Sequence, residues 1–265
     1  MIPFIKAHAC GNDFLIVDEA HAQGNHAEMT RRLCARNTGV GADGVEFVGA
    51  EDNGRIPIRL INADGSEAEI SGNGTRCVAA WLAHSAGKND VVLVTKAGPR
   101  HCRVTSRHGN TFQVETEMGV PVVRPRTLRL PSGLELQGAE VSVGNPHFVV
   151  FVEAEDFSVG GQSWQSVGAE IALHSEFSNG SNAEFVRILD ARTIEFRIFE
   201  RGVGPTLSSG TGTCASASAS IALRGVEGQL TVLAEGGPQT IRWTDMHQPI
   251  LLTGPAAIIA TGEAF

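Results

Sequence analysis

The stretch Ile61–Leu82, INADGSEAEISGNGTRCVAAWL, runs from an acidic extended segment through Ser71-Gly72-Asn73-Gly74 into an apolar run of helical composition. A second passage of the same construction occupies Ile198–Leu223, where Glu200-Arg201-Gly202 leads to Ser209-Gly210-Thr211-Gly212 and another run of small residues. Glycines permit a sharp turn and leave backbone N–H groups uncovered. Where such a turn opens a helix, those N–H groups and the positive end of the macrodipole point the same way, so the mouth binds anions. Two mouths facing each other would hold one carboxylate between them, with Ser71 and Ser209 on opposite faces of its α-carbon. A single SGxG alone reads as a glycine-rich turn with a serine N-cap. Its duplication in matching contexts argues for two related halves.

The halves share an earlier marker. Gly11-Asn12 precedes the apolar run Phe14–Val17, and Gly144-Asn145-Pro146-His147 precedes Phe148–Val152. Both Gly-Asn pairs stand about 60 to 65 residues before their serine, an order and spacing that signal internal repetition. With 265 residues the chain accommodates two domains of about 130 residues each, and Val120–Pro131, with three prolines, reads as an extended crossing between them. The first boundary is expected near Met118.

Within the first half, strands are expected at Ile2–Ile5, Phe14–Asp18, Val45–Val48 and Ile56–Asn62, and a helix at Ala27–Ala35. The long helix is predicted at Thr75–Ser85, where Cys77, Ala80 and Trp81 share one face, so Cys77 reads as core. Three further strands fill Val91–Glu117. In the second half a helix is expected at Trp164–His174, strands at Ala183–Ile188 and Thr193–Glu200, and the second long helix at Thr213–Leu223, followed by short strands to Thr261. The simplest packing is an α/β (α+β) one that wraps a curved sheet around each long helix.

A hydrophobic content of 42%, a charged content of 19% and 31 glycines describe a folded chain rich in turns, not a disordered or fibrous one. The net charge of −8, with Arg and Lys scattered, argues against a nucleic-acid-binding face. Five cysteines without metal-ligand spacing read as free thiols in a reducing compartment. The N-terminus reaches charge and glycine too soon for a signal peptide, and no apolar stretch is long enough to span a membrane, so a cytoplasmic location is expected.

Taken together, KAHACGNDFLIVD (Lys6–Asp18), GVGADG (Gly39–Gly44), NADGSEAEISGNGTRC (Asn62–Cys77), GNPHFV (Gly144–Val149), NGSNAEFV (Asn179–Val186) and ERGVGPTLSSGTG (Glu200–Gly212) resemble the diaminopimelate epimerase family. That family sits among the cofactor-independent amino-acid racemases and epimerases that include proline racemase. The resemblance covers nearly the whole chain. It implies two pseudo-symmetric domains, 1–118 joined by 254–265 and 119–253, with the active site between them. It also implies inversion of 2,6-diaminoheptanedioate between its LL and meso forms without pyridoxal phosphate or metal, and a homodimer. The reacting carboxylate would lie on the N–H groups around Gly72-Asn73 and Gly210-Thr211. Asn12, Asn62, Asn145, Asn182, Glu200 and Arg201 match residues that hold the amino groups and the distal end, where the planar fork of an arginine suits a carboxylate.

One departure bears on the chemistry. The resemblance places a catalytic cysteine at each helix mouth, and this chain has Ser71 and Ser209 there. A thiol near pKa 8.5 is within reach of a helix dipole, whereas an alcohol lies nearer to water. Three readings follow. The serines are activated by neighbours, with His147 and Glu200 as candidate proton acceptors. Or the site runs a related one-base dehydration or isomerisation. Or it binds a diamino diacid without turning it over, as a pseudoenzyme or a Cys-to-Ser variant would. Cys10, beside Gly11-Asn12, is the one other thiol near the expected site, while Lys6 and His8 read as structural.

Overall fold

The computed structural model describes Met1–Phe265, and the chain divides into two compact units, Met1–Glu117 with Thr253–Phe265, and Met118–Leu252. Met118 thus opens the second unit instead of closing the first. The first contains β1 (Ile2–Ala9), β2 (Asn12–Asp18), α1 (His26–Cys34), β3 (Gly44–Val48), β4 (Arg55–Asn62), α2 (Gly72–Ala86), β5 (Asp90–Thr95), β6 (Gly98–His108) and β7 (Thr111–Glu117). The second contains β8 (Val122–Arg129), β9 (Glu135–Ser142), β10 (Pro146–Phe151), α3 (Trp164–Ala172), β11 (Asn182–Asp190), β12 (Thr193–Glu200), β13 (Gly204–Thr206), α4 (Gly210–Arg224), β14 (Gln229–Ala234) and β15 (Gly237–Arg242). A last strand, β16 (Leu251–Ala264), carries the chain back into the first unit.

In the first unit the strands run in the order β1-β2-β3-β4-β5-β6-β7-β16, and β16 closes on β1. That last seam is antiparallel, from Ile2 opposite Ala264 to His8 opposite Ala257. Closure leaves no free edge. The pairs β2–β3 and β4–β5 are parallel, each reached by a crossover through α1 or α2. Inside the ring lies α2, packed on β1, β2, β3, β5, β6 and β7. Eleven of its residues are buried, and most are small (Gly72, Gly74, Thr75, Cys77, Ala79, Ala80, Ala83). Such a helix has no solvent stripe and needs an apolar wall all round, which Phe14, Ile16, Ile58, Leu60, Leu93 and Val114 supply.

The second unit repeats this plan as an open sheet, β8-β9-β10-β11-β12-β14-β15, with β13 beside β12. Its central helix α4 touches seven of these strands and is buried from Gly210 through Ser220. Hydroxyls inside an apolar shell need acceptors. Ser218 donates to the Ala215 carbonyl at 3.1 Å and Ser220 to the Ser216 carbonyl at 2.8 Å. The two central helices match in detail. Each has 15 residues, a serine N-cap and a left-handed glycine at its end, Gly87 at φ 68° and Gly225 at φ 70°.

Three expectations need correction. Gly72-Asn73-Gly74 and Gly210-Thr211-Gly212 form the first turn of each helix, not a loop before it. The proline-rich stretch read as a crossing is β8, paired along its length with β9. Pro125 is tolerated because β8 is the outermost strand of its sheet, where a missing N–H breaks no ladder. And α3 ends at Ala172, with Leu173 as its C-cap.

Candidate active site

In the first unit the site is built on the mouth of α2. Ser71 sits in extended backbone as N-cap, and its Oγ accepts the Gly74 N–H at 3.0 Å. Its carbonyl takes the Thr75 N–H at 2.9 Å. The N–H groups of Gly72 and Asn73, as the first two of the helix, point out of its end. Asn73 is itself oriented: its Nδ2 donates to Asn12 Oδ1 at 3.2 Å, and its Oδ1 accepts from Arg76 at 2.6 Å. Arg76 is wholly buried and also donates to the Gly72 carbonyl at 3.1 Å.

Asn12 reaches the mouth because Cys10 and Gly11, both at positive φ, turn β1 into β2 in two residues. Its Nδ2 donates to Asp43 at 2.6 Å. Asp43 and Asp13 are in turn bridged by Arg36, at 2.7 and 3.0 Å, and Lys6 pairs with Asp13 at 3.0 Å. Burial alone would raise the Asp13 carboxyl, but hydrogen bonds and charge from Lys6 and Arg36 leave it below its usual value. Lys6 also donates to the Gly41 carbonyl at 2.6 Å. Asn62 ends β4 opposite Gly44, and its Nδ2 is turned back onto Ser66 Oγ at 3.0 Å.

The second unit gives the matching arrangement with different partners. Ser209 Oγ accepts the Gly212 N–H at 3.2 Å and lies 3.3 Å from Thr211 Oγ1. Asn145 Nδ2 donates to that same Thr211 hydroxyl at 3.3 Å. His147, fully buried, has Nδ1 2.6 Å from Glu184 Oε1 and Nε2 2.8 Å from Asn145 Oδ1. The expectation that His147 is a proton acceptor for the serines is thus corrected: both ring nitrogens are committed, and the ring holds Asn145. Glu200, the other expected acceptor, receives the Thr206 hydroxyl at 2.5 Å. Asn182 lies opposite His147 in the β10–β11 ladder, and its Oδ1 accepts the Arg201 backbone N–H at 2.9 Å. The Arg201 guanidinium donates to the Asn179 carbonyl at 2.7 Å.

Two buried carboxyls, not expected from the sequence, lie beneath these mouths. A Cβ on Gly74 would stand 1.9 Å from Glu46 Oε1 and 3.3 Å from Ser71 Cβ. A Cβ on Gly212 would stand 2.7 Å from Ile198 Cδ1, 3.0 Å from Glu184 Oε1 and 3.2 Å from Ser209 Cβ. Burial pushes the Glu46 carboxyl up to about 8. Glu184 is also raised by burial, while His147 pulls it partly back. The signal available in the sequence is a charged residue inside an otherwise apolar run, Glu46 in GVEFV and Glu184 in AEFV.

All five cysteines are free and buried. Burial drives Cys77 far above the usual thiol range, so it is core and not a base. Capping and chemistry at Ser71 separate by substitution. Ser71→Ala is expected to lower stability by about 1 kcal/mol and Ser71→Gly by a few tenths, read from denaturant midpoints, while both remove the hydroxyl.

The diaminopimelate epimerase family model matches residues 4–123 and 140–259. The chain belongs to the diaminopimelate epimerase family. It is 35% identical over 284 residues to diaminopimelate epimerase 1 of Nostoc sp., covering 99% of both chains. To the diaminopimelate epimerase of Parabacteroides distasonis it is 34% identical over 266 residues, covering 98% of this chain and 97% of the relative. A solved probable proline racemase from Agrobacterium radiobacter shares the fold at TM-score 0.76 and 17% identity, over 99% of this chain and 92% of that one. The family model falling once on each half agrees with the duplicated diaminopimelate epimerase plan seen in α2 and α4. No helix is long and apolar enough to cross a membrane.

Proposed function

We propose that this chain inverts the α-carbon of 2,6-diaminoheptanedioate between its LL and meso forms, with Ser71 and Ser209 as the two groups that exchange the α-proton. Inversion asks for one group to remove the proton and a second to return one to the opposite face. The observation that carries the reading is the equivalence of Ser71 and Ser209: each caps a 15-residue buried helix, and each Oγ accepts the N–H of the third helical residue. The N–H bond and the helix dipole both stabilise negative charge on that oxygen, which moves the hydroxyl toward basicity usable in catalysis.

The first-turn N–H groups of Gly72, Asn73, Gly210 and Thr211 are assigned to the reacting carboxylate, as donors at helix mouths suit an anion. Asn12, Asn62, Asn145, Asn182, Glu200 and Arg201 are assigned to the amino groups and the distal end, where the fork of Arg201 suits a carboxylate. His147 acts through Asn145, which it orients.

Purified protein is incubated with the LL or meso form in heavy water, and both the diastereomer ratio and α-deuterium are followed. Interconversion with label is the expected result. Label, or loss of water, without interconversion would identify a one-base reaction. Binding without exchange would identify a diamino-diacid-binding protein.

A further inference from the structure

Glu46 is the third residue of β3, in which all five residues are buried. Its side chain is 1% exposed, and neither carboxyl oxygen has a hydrogen-bond partner. A buried polar group left in this state is uncommon and costly. Its counterpart Glu184 has His147; the residue at the equivalent register in the first unit is Phe14, which has nothing to donate. The carboxyl is thus buried with no hydrogen-bond partner from the chain.

Its surroundings explain why. Glu46, Ser71 and Thr95 line one narrow cavity of about 10 Å³, closed by Ile58, Leu60 and Ile70. That is close to the space a single water centre requires, and three polar side chains meet the two to four partners such a water needs. With only hydrogen at position 74, Glu46 Oε1 and Ser71 Cβ both come up against the same point of the α2 backbone.

We propose that Glu46 is the proton reservoir of Ser71, exchanging a proton with its hydroxyl through one water held in the cavity they share. This rests on the reading of Ser71 as the acid and base of one face. When Ser71 protonates the substrate carbanion, its O–H bond breaks and a C–H bond forms. The water then gives a proton to Ser71 Oγ and receives one from Glu46, which ends as a carboxylate. When Ser71 removes the α-proton, each transfer runs backwards and Glu46 ends as the acid. No electron is gained or lost. Being held as a neutral acid near pH 7 by burial, Glu46 starts in the form that donates.

Two measurements test this. In the first, Glu46→Gln is compared with the parent for α-deuterium uptake from each diastereomer, with substrate binding followed by calorimetry. Loss of a positioned proton donor lowers exchange on one face by about 10²-fold or more, with the dissociation constant unchanged within about twofold. Glu46→Met, of similar length and without a titrating proton, replaces Gln if that variant does not fold. Exchange within threefold of an active parent would overturn the proposal. The second needs no turnover. In Ser71→Cys protein the pH dependence of iodoacetamide labelling is read with Glu46 present and with Glu46→Gln, the Ser71 parent serving as blank for the native thiols. Glu46 ionises near pH 8, in the range where a thiol titrates, and the carboxylate so formed opposes the thiolate, so Glu46→Gln moves the midpoint down by about half a pH unit or more. Arg59, Glu67, Glu69 and Lys96 from the cavity wall, and Arg76 and Cys77 from α2, are common to both backgrounds. An unmoved midpoint would overturn the coupling. A moved midpoint in a chain inert toward both diastereomers would keep the coupling and remove the epimerase reading.

Discussion

Replacing Ser71 and Ser209 together by cysteine raises the rates of α-proton exchange and inversion by about 10³-fold or more. An alcohol lies nearer water's pKa of about 15.7 than a thiol's of about 8.5, so at neutral pH the ionised fraction falls by five or more powers of ten. The helix mouth recovers at most about 2 kcal/mol of that. The stronger basicity of an alkoxide returns part of the difference, because proton-transfer rates rise with base strength along a Brønsted line. The remainder is the expected gain. The single variants separate the faces: Ser71→Cys or Ser209→Cys alone speeds deuterium uptake from one diastereomer far more than it speeds inversion, since the remaining alcohol still has to complete the second half. Uptake and inversion are measured in the same heavy-water experiment. A double variant no faster than the parent would mean that the mouths are not where the α-carbon reacts.

The residues that made the duplication legible are those whose sequence order mirrors their place at a mouth. Asn12 and Asn145 open β2 and immediately precede β10, Ser71 and Ser209 cap the central helices, and order and spacing survive in a one-dimensional reading. The first helical turns did not, because glycine costs about 1 kcal/mol in a helix interior and reads as a breaker. Gly74 is accepted there because Glu46 leaves no room for a methyl group, and Gly212 because Ile198 and Glu184 crowd the same position. That is a tertiary reason, invisible to local propensity. The β8–β9 pairing was hidden in the same way, since three prolines mark an extended chain but not the edge position that tolerates one of them.

Partners of individual side chains were less legible still. His147 beside Gly144-Asn145 suggests a base for a nearby serine, and it is the strand register, Val149 opposite Glu184, that turns the ring to the carboxyl instead. Ile16 stands opposite Glu46 in the equivalent ladder of the first unit. The two halves therefore share a buried glutamate beneath the helix and differ in whether an imidazole meets it, a difference of one side chain with a measurable consequence.

Stability falls as pH rises from 5 to 8, and Glu46→Gln removes most of that fall. Burial raises the Glu46 carboxyl from 4.5 to about 8 in the folded chain. Below the unfolded value both states hold the proton and there is no penalty. Between the two values the unfolded chain has released its proton and the folded chain has not, so stability drops by about 1.4 kcal/mol per pH unit. Above the folded value both are ionised and the loss is complete, on the order of 4 kcal/mol between pH 5 and pH 8. Glu184, also raised by burial, adds to the fall in the same sense, with His147 reducing its share. Asp13, held below its usual value, acts in the opposite direction at acid pH, where its contribution is lost as pH falls. Urea unfolding at pH 5, 6.5 and 8, followed by tryptophan fluorescence, isolates the effect as the difference between parent and Glu46→Gln. Gln keeps the shape and cannot ionise, so its curve is flatter and crosses above the parent toward pH 8. Two parallel curves would mean that the carboxyl titrates alike in the folded and unfolded chain, and the cavity beneath Ser71 would then have to be wet enough to solvate it.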